Sequence, residues 1–253
     1  MPRFFIQSNA IVGDTVTIVG SDASHISRSL RMKAGEAVTV CDMQRTEYDC
    51  VIESFSADNV ILRILSQSQS QNEPPYYAKL YMALPKADKM ELIIQKAVEM
   101  GVSEIIPFRS ERSVVKLDEA SGEKKRQRWQ KIADAAAGQC GRGILPAVRA
   151  PMNFDAALND AMKDDLSFVC YEGEDGCQLP DLLAKYPHPV GTVSFFVGAE
   201  GGISTEEIEK FRAAHIPSVG LGKRILRCET APLFVLSCLS FSWEIFTGSN
   251  CTN

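Results

Sequence analysis

Hydrophobic and polar positions alternate with a period of two along the start of the chain. The alternation is carried by the short β-rich runs TVTIV, AVTVCD, DCVIESF and NVILRIL. Turn-forming pairs such as Gly13-Asp14 and Asp58-Asn59 separate these runs. Because such alternation is typical of strands that bury one face, the pattern predicts a small β domain over residues 1–70.

The next stretch, SQSQSQNEPP at residues 66–75, is polar, repetitive and closed by two prolines. This composition is typical of a linker between domains. It predicts a boundary, with the β domain before it and a second domain over residues 76–253.

Beyond the boundary, strand-like and helix-like patterns alternate. Strands are predicted at AKLYMAL, SEIIPF, LSFVCY, TVSFFVG and IPSVGL, and helices at residues 88–100, 123–140, from 205, and at 231–246. This order is typical of an α/β domain with a largely parallel sheet, whose ligands bind beyond the carboxyl ends of the strands. Asp88 with Glu91, and Ser204 with Glu207, have the spacing of a capping box at a helix start.

The composition is that of a folded protein, with 45% hydrophobic and 23% charged residues over 253 positions. A formal net charge of -5 gives no global attraction to nucleic acid, so an RNA site needs a local basic patch. Eight cysteines without a C-x-x-C pair, and three histidines, predict no metal site. The first residues lack the apolar stretch of a signal peptide. We therefore expect a cytoplasmic protein whose cysteines stay reduced. The apolar segment 231–246 is too short and too interrupted by serines to cross a bilayer.

A glycine loop, FVGAEGGIS, follows the TVSFFV run and enters a helix. A phosphate-binding loop would carry a lysine, whereas this loop carries Glu200. A carboxylate repels phosphate and suits ribose hydroxyls, an amino group or a cation. The alternative is that the glycines only allow a sharp turn.

A second stretch, LGKRILRCETAP, also follows a strand-like run and enters a helix. Arg227 and Glu229 lie beside Ile225 and Leu226, so polar groups and apolar stems alternate as the wall of a binding site requires. The alternative is a surface loop with an arginine–glutamate pair. Basic clusters also occur in SHISRSLRMKAG and in EKKRQRWQK, where a solvated face and contact with phosphate are both open interpretations.

Four stretches together, LPKADKMELIIQKAVEMGV, SERSVV, FVGAEGGIS and LGKRILRCETA, resemble the ribosomal RNA uridine-N3 methyltransferases that act on small-subunit RNA. The resemblance spans nearly the whole chain, in the same order and with a β domain in front. The family usually has G-P-E-G-G in the loop, and Ala199 stands here at the proline position. The change removes a fixed φ angle and leaves the backbone donors in place.

The resemblance implies a SPOUT-type α/β domain with a C-terminal trefoil knot, preceded by a small PUA-like β-barrel that binds RNA. It further implies S-adenosylmethionine as methyl donor without a metal, transfer to N3 of a specific uridine in 16S ribosomal RNA, and a homodimer whose partner is that RNA or the small ribosomal subunit. No membrane partner is expected. The alternatives are a PUA/SPOUT-type RNA-binding protein without methyl transfer, another RNA-base methyltransferase, and an unrelated nucleotide-using enzyme.

The same resemblance supplies expectations for individual residues. The cofactor is expected to contact Gly198, Glu200, Gly201, Leu221, Gly222, Ile225, Leu226 and Thr230. RNA is expected to contact Arg3, Arg28, Arg31, Lys33, Lys86, Arg112 and Arg142. Arg227 is expected to stabilise negative charge on the uracil oxygens, and Glu229 or Glu200 to remove the N3 proton.

Overall fold

The fold is that of a computed structural model, which describes residues 1–115, 118–173 and 177–245. The chain divides into two compact units. The first comprises Met1–Glu73 and Ala137–Leu145, and the second comprises the remaining described residues from Pro74 onwards. Within the described residues, no helix is long and apolar enough to cross a membrane.

The first unit is built on a six-stranded sheet. Its elements are β1 (Arg3–Phe5), β2 (Ile11–Val12), β3 (Thr15–Val19), α1 (Gly20–Ser24), β4 (Ala37–Cys41), β5 (Thr46–Phe55) and β6 (Asn59–Gln69). The strand order is β1-β4-β5-β6-β3-β2, antiparallel except for the β1–β4 pair. The predicted period of two is confirmed, because alternate residues such as Val16, Ile18, Val60 and Leu62 form the core on one face.

The predicted linker is wrong over residues 66–69. These residues form the end of β6 and pair with the start of β5, where Thr46 lies opposite Gln69. The alternating serines and glutamines place polar side chains on both faces, so the strand carries no hydrophobic signal. The first unit continues to Glu73, whose carboxylate accepts hydrogen bonds from Arg142.

The second unit alternates strands and helices. Its elements are β7 (Tyr77–Ala83), α2 (Lys89–Glu99), β8 (Glu104–Arg109), α3 (Glu119–Cys140), β9 (Ala147–Val148), β10 (Met152–Asn153), α4 (Phe154–Ala161), β11 (Leu166–Cys170), α5 (Leu179–Leu183), β12 (Thr192–Val197), α6 (Thr205–Ala213), β13 (Ser218–Val219) and α7 (Ala231–Ser240). The last four residues of α3 belong to the first unit. The strands form a seven-stranded sheet in the order β10-β8-β7-β12-β11-β13, and β9 also pairs with β8. All of these pairs are parallel, as the alternation predicts.

An aromatic cluster fills the centre of the second unit. The rings of Tyr81 and Phe196 stack with centroids 4.4 Å apart, and Phe108 and Phe211 meet Phe196 edge-on. These rings are fully buried. The central strands therefore have apolar residues on both faces, which is typical of a parallel sheet covered by helices.

The two predicted capping boxes differ in outcome. At the start of α6, the side chain of Ser204 accepts from the N–H of Glu207, and the Glu207 carboxylate accepts from the N–H of Ser204. At the start of α2, the side chain of Asp88 makes no cap hydrogen bond, so that prediction is wrong. Glu91 pairs instead with Arg128 on α3 at 2.7 Å.

The predicted helix over 231–246 is confirmed through Ile245, and Phe246 lies outside the described residues. Its burial is confirmed for one face only, because Val235, Leu236 and Leu239 are buried while Phe241 and Ile245 are exposed. A helical turn, Phe241–Ile245, continues α7. The Trp243 indole donates to the carbonyl of Tyr186, and Glu244 accepts from the hydroxyl of Tyr76. These contacts hold the Phe241–Ile245 turn against Tyr76, which directly precedes β7, and against Tyr186.

Candidate functional site

A cavity of about 950 Å³ opens at the carboxyl ends of β11, β12 and β13. Its wall begins where these strands end, at Cys170, Val197 and Gly220. The remaining wall residues are Lys89, Tyr171, Glu172, Gln178, Pro180, Gly198, Ala199, Glu200, Gly202, Leu221, Gly222, Lys223, Arg224, Ile225, Leu226, Arg227, Cys228, Ala231 and Phe234. The position agrees with the general rule for ligands of parallel α/β sheets.

The glycine loop after β12 folds into a tight turn that excludes larger residues. The Gly202 N–H donates to the carbonyl of Ala199, and Gly202 has φ +69°. A Cβ on Gly198 would lie 2.7 Å from the carbonyl carbon of Gly202, and one on Gly202 would lie 2.5 Å from a carboxylate oxygen of Glu172. Both glycines are therefore required for the shape of the cavity wall.

The turn after β13 is held by a side chain from another part of the chain. The Gln178 side chain accepts from the N–H of Gly222, which has φ +93°. Gln178 also caps α5, together with Asp181. It thereby connects the amino end of α5 with this turn, in which Ile225 remains 87% exposed.

Lys89, at the first position of α2, joins the two turns. Its ammonium lies 2.8 Å from Glu200 and 3.5 Å from Glu229. Burial opposes ionisation of both carboxylates. The hydrogen bond from Lys89 nevertheless leaves the pKa of Glu200 below its ordinary value. The pKa of Glu229 is lowered by hydrogen bonds from the Glu229 backbone N–H and from Cys228, and by the charge of Lys89. Burial raises the pKa of the Cys228 thiol to about 12, so the protonated thiol donates to Glu229.

Most of the residues predicted for the cofactor and for catalysis meet in this cavity. Those in its wall are Gly198, Glu200, Leu221, Gly222, Ile225, Leu226 and Arg227. Within the described residues, the wall does not include Gly201, Glu229 or Thr230. Gly201 faces away from it, because a Cβ there would meet the Arg112 side chain at 3.1 Å.

Sequence reasoning missed Lys89, Glu172 and Gln178 as wall residues. Lys89 lies within a stretch that carried the family resemblance, which was the one signal for it. Gln178 and Glu172 lie in stretches without a motif, and only the fold brings them to the site.

The glycine loop is also held by residues 110–112, which are outside the cavity wall. The Glu207 carboxylate is buried and accepts from the hydroxyl of Ser110 and the N–H of Glu111, both at 2.9 Å. The Arg112 guanidinium donates to the carbonyl of Gly201 at 3.0 Å. The SERSVV stretch thus stabilises the turn and the start of α6.

The residues predicted to contact RNA fall into two classes. Arg28, Arg31 and Lys33 are exposed on the first unit, and Lys86 and Arg112 are exposed on the second. These side chains are accessible to phosphate.

Arg3 and Arg142 are not accessible in this way, so their prediction is corrected. The Arg142 side chain is 4% exposed and pairs with Glu73, also 4% exposed, at 2.8 Å. The Arg3 side chain is 14% exposed and pairs with Glu47 at 2.9 Å. Both guanidinium groups hold the first unit together.

Two family models match the chain. A model described as an RNA methyltransferase domain matches residues 72–240, and one described as an RNA methyltransferase PUA domain matches residues 18–65. Together they cover β4 and β5 and most of β6 in the first unit, and the parallel sheet with its cavity in the second.

Relatives of known name match over nearly the full length. The chain is 35% identical to ribosomal RNA small subunit methyltransferase E of Bacillus subtilis (strain 168), over 98% of this chain and 99% of that protein. A crystal structure of a ribosomal RNA small subunit methyltransferase E from Neisseria gonorrhoeae, bound to S-adenosyl methionine, superposes with TM-score 0.87 at 32% identity, covering 98% of this chain and 100% of the other. The structure of a Legionella pneumophila protein in complex with the bound cofactor SAM gives TM-score 0.83 at 30% identity, covering 95% of this chain and 97% of the other.

Proposed function

The chain belongs to the ribosomal RNA small subunit methyltransferase E family, and from this premise we propose that it transfers a methyl group from S-adenosylmethionine to N3 of a specific uridine in 16S ribosomal RNA. The observation that carries the proposal is the convergence of two glycine-bearing turns on one cavity at the carboxyl ends of parallel strands. The chain is then an S-adenosylmethionine-dependent ribosomal RNA methyltransferase.

The residues around the cavity fit S-adenosylmethionine. The volume of about 950 Å³ is typical of small-molecule sites. Apolar side chains such as Leu226 and Phe234 share the wall with the carboxylates of Glu172 and Glu200. A carboxylate suits a sulfonium charge and ribose hydroxyls, whereas it repels the phosphates of a dinucleotide. When bound, the cofactor supplies an activated methyl group.

The proposal assigns cofactor binding to the predicted residues that lie in the cavity wall. They are Gly198, Glu200, Leu221, Gly222, Ile225 and Leu226. Gln178 is added because it orients the N–H of Gly222. Gly201 and Thr230 stay predictions.

The proposal assigns charge stabilisation to Arg227. It is exposed at the cavity, where its guanidinium can donate to uracil oxygens that gain negative charge as the N3 proton leaves. The lowered pKa of Glu200 and of Glu229 makes each a weak proton acceptor, because a general base works best with a pKa near the operating pH. Removal of the N3 proton by Glu229 or Glu200 stays a prediction, and the proposal also gives the two carboxylates an orienting role at Lys89.

For the RNA, the proposal assigns phosphate contacts to the exposed basic residues. They are Arg28, Arg31 and Lys33 in the first unit, proposed as the PUA-like domain, and Lys86 and Arg112 in the second unit, proposed as the methyltransferase domain. N3 of uridine is paired inside a helix, so the target uridine must be unstacked or single-stranded.

Three further properties belong to the proposal. The second domain is of the SPOUT type, and its C-terminal segment threads a trefoil knot. The protein is a homodimer, which the partly exposed Phe234 and Phe241 around α7 support as an apolar contact surface. It acts in the cytoplasm, where the free thiols of its described cysteines stay reduced.

The test is mass spectrometry of 16S ribosomal RNA from cells with and without the gene. We expect one N3-methylated uridine to disappear in the deletion and to return with the wild-type gene. An unchanged set of modified nucleotides would contradict the proposal. RNA affinity without any response to the cofactor would favour the RNA-binding alternative.

A further inference from the structure

Three separate segments of the chain meet at the ammonium of Lys89. Glu200 belongs to the glycine turn, Glu229 to the turn before α7, and Lys89 itself to the start of α2. Nζ of Lys89 is 2.8 Å from one carboxylate and 3.5 Å from the other. One cation therefore connects two turns that each contribute to the cavity wall.

The turn before α2 is shaped to make this contact. Ala87 has φ +53°, a left-handed conformation that costs energy for a residue with a Cβ. The N–H of Lys86 donates to both carboxylate oxygens of Glu200, at 3.2 and 3.3 Å. A backbone donor and a side-chain cation from one turn thus hold the same carboxylate.

Without the cation, the two carboxylates would face each other. Both lie within 3.5 Å of the same nitrogen. Within the described part of the chain, the other titratable group in contact with this set is the thiol of Cys228, whose Sγ lies 3.9 Å from Nζ and donates to Glu229. The charged groups of Glu172, Lys223, Arg224 and Arg227 belong to the same cavity wall. Like charges at this separation repel, and the repulsion is relieved when one carboxylate takes up a proton.

We propose that Lys89 is a positioning residue that fastens the glycine turn to the turn bearing Arg227, and so keeps the cavity in its cofactor-binding shape. This inference rests on the proposed function, because its readout is affinity for S-adenosylmethionine. Lys89 acts through Glu200 and Glu229 and has no chemical step of its own.

The experiment measures the dissociation constant of S-adenosylmethionine for the wild-type protein and for Lys89→Met, at about pH 8, where both carboxylates are ionised, and at about pH 4.5, where a facing carboxylate pair shares a proton. We expect the variant to bind roughly tenfold more weakly at the higher pH, because the turns separate. The ratio of the two constants shrinks at the lower pH, where a carboxyl–carboxylate hydrogen bond rejoins the turns.

Three further variants sharpen the test. Lys89→Arg retains binding because it keeps the charge. Lys96→Met, which removes the Lys96–Glu99 pair on the same helix, serves as matched control and binds like the wild type. Lys89→Met combined with Glu229→Gln loses the pH dependence, since only one carboxylate remains.

Equal binding by wild type and Lys89→Met at both pH values would overturn the inference. So would a loss that is independent of pH and not rescued by arginine, which would mark a direct contact with the ligand. If Lys89→Met does not fold, Lys89→Gln, which also removes the charge, takes its place, and the same outcomes support or overturn the inference. If the wild type itself binds no S-adenosylmethionine, the proposed function fails and the inference about Lys89 is not the cause.

Discussion

The charged side chains of the first unit illustrate how burial decides the role of a residue. Glu73 accepts from the Arg142 guanidinium and from the N–H groups of Gly143 and Ile144. Removing two charges from water is costly, and the cost is recovered only when the pair is intact and fully hydrogen-bonded. Arg142 is therefore the partner that keeps the Glu73 carboxylate from being buried and unpaired.

Replacing one partner leaves the other charge buried. We expect Glu73→Gln to lower the free energy of unfolding by about 3–5 kcal/mol, as measured by denaturant titration of the full chain. Glu36→Gln, at an exposed position of the same unit, is the control and changes stability by no more than about 0.5 kcal/mol. Equal midpoints for the two variants would contradict a structural role for the pair.

Individual residues of the site were predictable where a local motif carried them. Glu200 and Arg227 lie in glycine-containing turns at helix entrances, so short sequence windows suffice to nominate them. The partners of Arg142 and Gln178 lie about 40 or more residues away in the chain, at Glu73 and Gly222. Such pairings depend on tertiary packing, and no short stretch of sequence contains both members of a pair.

Among the elements, α6 shows how a helix start supports the adjoining loop. The Glu207 carboxylate completes the capping box with Ser204 and also binds the loop that contains Ser110. It is buried, so its hydrogen bonds are not replaced by water when they are lost.

We expect Glu207→Ala to lower the free energy of unfolding by about 1–3 kcal/mol, because buried donors lose their acceptor. The glycine turn should loosen as well, which raises KM for the cofactor. Glu206→Ala removes an exposed carboxylate from the same helical turn and is the control, with a cost below about 1 kcal/mol. Denaturant titration and steady-state kinetics distinguish the two variants. Equal losses of stability and of cofactor affinity in Glu207→Ala and Glu206→Ala would contradict the role of Glu207 in supporting the glycine turn.

Hydrophobic periodicity predicted β3, β5, β6 and the central strands of the second unit. It failed for the polar end of β6, and it gave no signal for the short strands β9 and β10. Short or fully polar elements bury too little apolar surface to leave a pattern. Their place in the sheet is fixed by neighbouring strands.

For the whole molecule, the cavity links ligand binding to global stability, because its wall is drawn from segments between Lys89 and Phe234. A ligand that binds only the folded state raises the unfolding temperature. The change in unfolding temperature on adding a compound should therefore show whether that compound binds the cavity.

At a concentration of 100 times Kd, S-adenosylmethionine should raise Tm by roughly 5–10 °C, and ATP should not. Gly198→Ala should abolish the shift, since the added Cβ would lie 2.7 Å from Gly202. Gly138→Ala is the control, because its Cβ would lie 3.9 Å from Phe5, an ordinary contact. Differential scanning fluorimetry measures all of these; a shift with ATP alone would point to a different class of enzyme.

The first unit includes the end of α3, which lies more than sixty residues after Glu73 in the sequence. The protein therefore cannot be cut into two folded parts at a single point. A gene fragment that stops after residue 75 would encode Glu73 without its guanidinium partner. Recombination between relatives would preserve the β unit only when residues 1–73 and 137–145 are inherited together. Swapping the amino-terminal part as an independent module should therefore yield insoluble chimaeras.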